Sequence, residues 1–346
     1  MVMTNTDLML GFDATTQEGV HINSVHITSK YGCNVIAVDQ LAGGTAEDYM
    51  HHIDDTVKRL AEVYSSFYMN LDYEACRRCM IANIMTDRAA VNHATIVRVC
   101  EIWGKTLNEL NCHLHPLDTI ASAARSALKE LESGKGKLFG RDCIAGNIVV
   151  QMNKFRFKDG KGDPRGFVNF LDDEGLPRGL IPRYRGNRLH ILFHICGTLR
   201  LLCPLFANCI LWWTPGIDLA SDVARDEMSV LGLIGKLLSG PWMTKFYTAP
   251  EKQVSHVEGI TIVRDVLKTL KAYVANPELV LTTKTDFFRN PLDMADPTLM
   301  KLQQCPDSEM MFFKMVKACL PSVITVLERQ YDILHYGHHR QTETGN

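Results

Sequence analysis

Three short apolar runs, joined by links too short for a crossover, constrain this chain more than any other feature. Leu8 to Thr15 is an apolar run ending in an acid and threonines. Val20 to Thr28 alternates through Val20, Ile22, Val25 and Ile27, and Cys33 to Leu41 carries Val35, Ile36, Ala37 and Val38. These are strand signals. Only Glu18-Gly19 and Tyr31-Gly32 mark the links between them. A parallel pair needs a crossover of about a dozen residues or more, so the three strands are expected to be antiparallel neighbours. Gly43-Gly44 ends the meander, and Thr45 with Asp48 has the spacing of a capping box. Tyr49, Ile53, Val57, Leu60, Val63, Tyr64 and Phe67 then mark one face of a helix over 46–67. Cys79 to Met85 reads as a fourth strand running into Thr86-Asp87, and Asn92 as the cap of a helix over 93–110. Cys112 to His115 reads as a short fifth strand, and Pro116 as the first turn of a helix reaching about Leu131. The expected order is β-β-β-α-β-α-β-α.

From Ser133 to Arg188 glycine, proline and charge dominate, with a weak strand pattern at Ile144 to Met152 and at Phe155-Arg156-Phe157. Beyond Leu189 the pattern is mainly helical. Leu189 to Trp213 is the most membrane-like stretch, but it contains His190, His194, Arg200, Pro204 and Asn208. Its unbroken apolar pieces are shorter than the roughly 20 residues of a span. Two buried helical pieces, broken near Pro204, are expected instead, with no membrane association. The expected organisation is a domain over 1–132, a basic Gly/Pro-rich loop region over 133–188 and a mainly helical region over 189–346. A composition of 46% hydrophobic and 22% charged residues suits a soluble globular chain. The eleven cysteines lie within apolar runs without a secretory signal before them, which points to a reducing compartment. The net charge of −2 means that a nucleic acid would have to be met by a local patch.

One such patch is legible. Arg125 to Arg188 holds 14 Lys and Arg against 8 Asp and Glu, interleaved with Phe139, Phe155, Phe157, Phe167 and Tyr184. Basic loops with aromatics suit backbone contacts and base stacking on DNA, with Arg183, Arg185 and Arg188 as the contact residues. A solvated loop face accounts for the same charges.

An antiparallel three-strand meander followed by a helix and a parallel strand is the topology of the ribonuclease H-like α/β fold, a mixed sheet. That fold sets one acid in the first strand and another just past the fourth. Here those positions are Asp13 and Asp87. Two hard carboxylates suit Mg²⁺ or Mn²⁺, and ions about 4 Å apart can activate water and stabilise a leaving oxygen in phosphodiester cleavage. Read without that topology, each is a turn acid at a strand end.

The segments Phe12-Asp13-Ala14-Thr15-Thr16, Met85 to Asn92 with Asp87, and Cys112-His113-Leu114-His115 together resemble the hAT (hobo–Activator–Tam) superfamily of DNA transposases. Cys112 and His115 match its C-x-x-H pair. Arg185 to Leu189 is similar to its arginine-containing segment, with Leu189 where a tryptophan is usual. The resemblance implies a nuclear cut-and-paste recombinase with Asp13 and Asp87 as catalytic metal ligands. It also implies a helical insertion ahead of a third acid on a late helix. No zinc-finger pattern precedes residue 8, and Glu328 is the late acid at hand, in an amphipathic pattern that reads as solvated. The expectation is therefore an incomplete, inactive member, with a homo-oligomer left open.

Other readings stand beside this one. Cys112 with His115 and His113 is half a zinc site, which Cys76 and Cys79 would complete; the same residues also suit simple packing. Gly232 to Leu237 lacks the glycine spacing of a phosphate loop. Two rival functions are a domesticated, non-catalytic DNA- or protein-binding module and an unrelated α/β phosphotransferase. The latter requires a parallel start.

Overall fold

Glu18 and Gly19 both adopt positive φ, 52° and 80°. That makes the first link a two-residue turn whose twist matches the strands it joins, Leu8–Gln17 (β1) and Val20–Ser29 (β2). The computed structural model describes residues 8–29, 32–67, 81–87, 89–132, 142–157, 162–184, 190–210, 221–247, 254–304 and 306–331. The chain divides into two compact units, Met1–His115 and Pro116–Asn346.

In the first unit β2 pairs antiparallel with both β1 and Gly32–Leu41 (β3). Ile81–Thr86 (β4) lies parallel to β1, and Asn108–Asn111 (β5) lies parallel to β4, giving the order β3-β2-β1-β4-β5. The fold of this unit is α/β with a mixed five-stranded sheet. Helix α1 (Ala46–Phe67) begins at the expected capping box: Asp48 Oδ2 accepts from the Thr45 amide and hydroxyl, and Thr45 Oγ1 accepts from the Asp48 amide. Tyr49, Ile53 and Val57 of α1 join Leu10, Phe12, Val25, Ile27 and Ile84 in one core. The stripe ends there, because Val63 and Phe67 are exposed. Trp103 closes the core, donating from Nε1 to the buried Asp54 at 2.9 Å. Removing that acceptor strands a buried donor, so Asp54→Ala is expected to cost about 2 kcal/mol in urea unfolding. An unchanged midpoint would overturn this assignment.

The other described helix of this unit, α2 (Ala90–Trp103), differs from the expected 93–110. Asn92 lies inside it rather than capping it, and Gly104 ends it in the left-handed conformation at φ 57°. That early stop lets 108–111 become β5, so Cys112 to His115 follow the strand instead of forming it. Of the expected fourth strand, 79 and 80 lie outside the described residues.

The second unit is helical. Helix α3 (Pro116–Glu132) belongs to this unit rather than to the expected domain over 1–132, and it packs on α12 (Glu309–Tyr331). Ile144 to Phe157, expected as strand, is helix α4. Its first amides are met from elsewhere in the unit: Glu132 accepts from Ile144 N and Glu227 from Ala145 N, at 2.9 and 2.8 Å. Ile148, Val149, Met152 and Phe155 then bury one helical face. Helix α5 is Pro164–Asp173. Helix α6 (Ile191–Ile210) runs through Pro204 without the expected break, clamped by fully buried Leu192, Leu199 and Phe206. Helix α7 (Asp222–Ile234) passes through a π-turn, Gly235–Ser239, into α8 (Gly240–Tyr247). Then come α9 (His256–Ala275), α10 (Leu279–Thr282) and α11 (Pro297–Leu302). By length and composition alone α12 could cross a membrane, but half of its apolar window is buried within the structure.

Candidate metal centre

Strand register sets the two sequence-predicted acids at corresponding positions along neighbouring parallel strands. The last parallel pair between β1 and β4 is Gly11 with Met85, and Asp13 and Asp87 each follow two residues later. Gly11 has its own constraint. The His26 ring lies over it so closely that a Cβ there would fall 1.9 Å from Nε2.

Asp87 is held by local geometry. Its Oδ1 accepts from the Ala89 amide at 3.0 Å and from the side-chain amide of Asn92 at 2.5 Å. Asn92 is itself buried in the first turn of α2. Fixed in this way, the carboxylate turns Oδ2 toward His115, whose Nε2 is 3.8 Å away. The start of α2 also favours negative charge there through its dipole.

Asp13 is exposed, on the sheet face opposite the helices. Ser24 Oγ donates to its backbone carbonyl at 3.2 Å. Its charge acts on His26, whose imidazole burial pulls below the ordinary value while Asp13 opposes. Asp87 acts instead on Tyr49 under the helices, whose hydroxyl is raised by burial and then by Asp48 and Asp87. Asp13 lies within β1, four residues before its end, whereas Asp87 follows directly on the end of β4.

Cys112 and His115 stand beside this point, since the Cys112 amide donates to the Thr86 carbonyl at 3.2 Å. Burial raises the Cys112 thiol, but its pairing with His115 and the Leu114 amide, 3.4 Å from sulfur, outweighs burial and holds it below the ordinary thiol range. The second half of the alternative zinc site, Cys76 and Cys79, lies outside the described residues. Among the described residues no group of three or more His, Cys, Asp or Glu is arranged to hold a metal ion.

Of the arginines expected to meet DNA, Arg185 and Arg188 lie outside the described residues. Arg183 is exposed, its guanidinium 5.3 Å from the Phe157 ring centre. Part of the basic excess around it is internally paired: Arg125 with Asp142, Lys129 with Glu132 and Arg178 with Asp172. Glu328 pairs with Lys271 at 2.7 Å, which suits the solvated reading. Sequence reasoning missed the role of Asn92. An Asn at a helix start reads as a cap, and only its spacing of five residues from Asp87 hints at a clamp. No protein-family model and no curated protein matches the chain.

Proposed function

We propose that the first unit is the ribonuclease H-like core of a transposase-derived protein of the hAT type, in which Asp13 and Asp87 hold Mg²⁺ or Mn²⁺ for phosphodiester chemistry on DNA in the nucleus. The observation that carries this reading is the order β3-β2-β1-β4-β5, with both acids two residues past the same parallel pair. The donor set fits a hard dication: two carboxylates, one exposed and one with its side chain 27% exposed. When bound, such an ion polarises a phosphoryl oxygen and acidifies water. Within the protein, Asn92 and the Ala89 amide fix Asp87 so that Oδ2 is its free oxygen, and His115 borders that oxygen. Arg183, with Arg185 and Arg188, is assigned to the DNA backbone.

A second reading, a domesticated non-catalytic module that binds DNA or protein, is favoured by one observation. No third acid joins the pair among the described residues. In both readings the metal site can be tested alone. Millimolar Mn²⁺ is expected to raise the melting temperature of the chain by a few degrees through preferential binding to the folded state, and Asp87→Asn to abolish the rise. An equal rise in the variant would place the ion elsewhere and remove the assignment.

A further inference from the structure

The loop between α10 and α11 is closed on itself. Thr285 and Pro291 form an isolated antiparallel bridge, and the Asp286 amide donates to the Asn290 carbonyl at 2.9 Å. The buried Asp286 carboxylate accepts from the Phe288 and Asn290 amides at 2.8 and 2.9 Å, and from the Asn290 side chain at 2.9 Å. Phe287 anchors the loop, its amide donating to the Leu237 carbonyl and its ring edge-on to Tyr273 at 5.0 Å. At the tip Arg289 is held at φ 66°, the left-handed conformation that favours glycine or asparagine. A strained residue persists only where its surroundings over-determine it, and such positions cluster at ligand sites. The strain here is spent on an arginine.

Arg289 borders a solvent-open cleft of about 160 Å³. Lys245 of α8 lines the same cleft, and the buried side chains of Val266 and Phe287 floor it. Asp265 also lines it, but its carboxylate pairs with Lys268 at 2.9 Å. Neither Arg289 nor Lys245 forms an ion pair among the described residues. Two exposed cations without an ion pair among the described residues thus overhang an apolar floor, with the Asp265 carboxylate acting on Arg289 from the cleft edge and Arg289 itself held in a conformation that its residue type disfavours.

We propose that this cleft is a phosphate-binding site, in which the Arg289 fork and the Lys245 ammonium seat a phosphoryl group. Arginine matches phosphate oxygens with two parallel donors and lysine adds a point charge. The group belongs either to a nucleic-acid backbone or to free phosphate. The site is independent of Asp13 and Asp87 and does not rest on the metal-centre reading.

The test uses the full chain, with a labelled DNA oligonucleotide followed by anisotropy and inorganic phosphate followed by calorimetry. Arg289→Gly and Arg289→Asn both suit the left-handed backbone, so each is expected to keep or raise the melting temperature. Each is also expected to weaken binding about tenfold, the scale of one lost charge-assisted contact. With DNA the slope of log affinity against log salt falls by about 0.9 for duplex or 0.7 for a single strand. Lys245→Gln is expected to act in the same direction. Loss in the DNA arm alone identifies a backbone phosphodiester, and loss in the phosphate arm identifies a small phosphate ligand. Wild-type affinity in both arms for stable Arg289 variants overturns the proposal, as does a wild type that binds neither probe. Both arms are run without divalent ions, so failure of the metal centre cannot mimic failure here.

Discussion

Raising the pH from about 5 to about 9 will destabilise the helical unit by on the order of a few kcal/mol, and Glu227→Gln will remove most of that loss. Glu227 is fully buried in α7, and desolvation together with the neighbouring Glu132 pushes its carboxyl up to about 9. One oxygen accepts from the Ala145 amide, while Oε1 has no hydrogen-bond partner among the described residues. Neutral, the group can carry its proton on that oxygen. Ionised, it becomes an unmatched buried charge beside Glu132, whose carboxylate is held by Lys129 at 2.8 Å.

The folded value lies above the unfolded one, so the folded state binds the extra proton. Its stabilisation is complete below about pH 4.5 and is lost as the pH climbs toward 9. Asp226, raised by burial to about 6 where it accepts the Asp307 and Ser308 amides ahead of α12, adds a smaller loss of the same sign over the lower part of that window. Glutamine at 227 keeps the size and the acceptor for Ala145 but cannot ionise. Urea midpoints of the two proteins across the range decide the matter. Parallel curves would mean that Glu227 is not the group that titrates.

The same residues show why part of the fold was legible and part was not. The meander followed from its links: two residues at Glu18-Gly19 leave no room for anything but a hairpin, whatever surrounds it. The start of α1 was equally local, since both partners of its capping box lie within one turn. Helix α4 was not local. Ile144, Ile148, Val149 and Val150 favour strand by type, and the groups that admit a helix, Glu132 and Glu227, come from α3 and α7. Pro204 misled for a similar reason, because burial on the rest of α6 outweighs the bond that proline removes. In the site, Asp87 stood out as an acid just past a strand, Asp13, read as ending one, lies within β1, and Asn92 gave a capping signal and became a clamp. Arg289 gave no signal, because sequence rules would have set the left-handed residue at Asn290.

As this chain stands, it will not nick supercoiled DNA at a useful rate with Mn²⁺. On the proposed reading Asp13 and Asp87 would supply ligands for one ion, and among the described residues no group of three or more His, Cys, Asp or Glu is arranged to hold a metal. An in-line displacement needs charge stabilisation at both the attacking and the leaving oxygen. Without a second anchored ion, the negative charge developing on the leaving oxygen is left to solvent. Losing an electrostatic contribution of that kind costs on the order of 3 kcal/mol, about a hundredfold or more in rate. The comparison is a plasmid assay on the unmodified chain, Asp13→Ala and Glu328→Gln, beside the Mn²⁺ melting shift as evidence that the ion still binds. Silence from all three, with the shift intact in the unmodified chain and in Glu328→Gln, is the expected result. Nicking that both substitutions abolish would make Glu328 the third acid, despite its pairing with Lys271. Nicking lost only in Asp13→Ala would show that another acid of this chain completes the site.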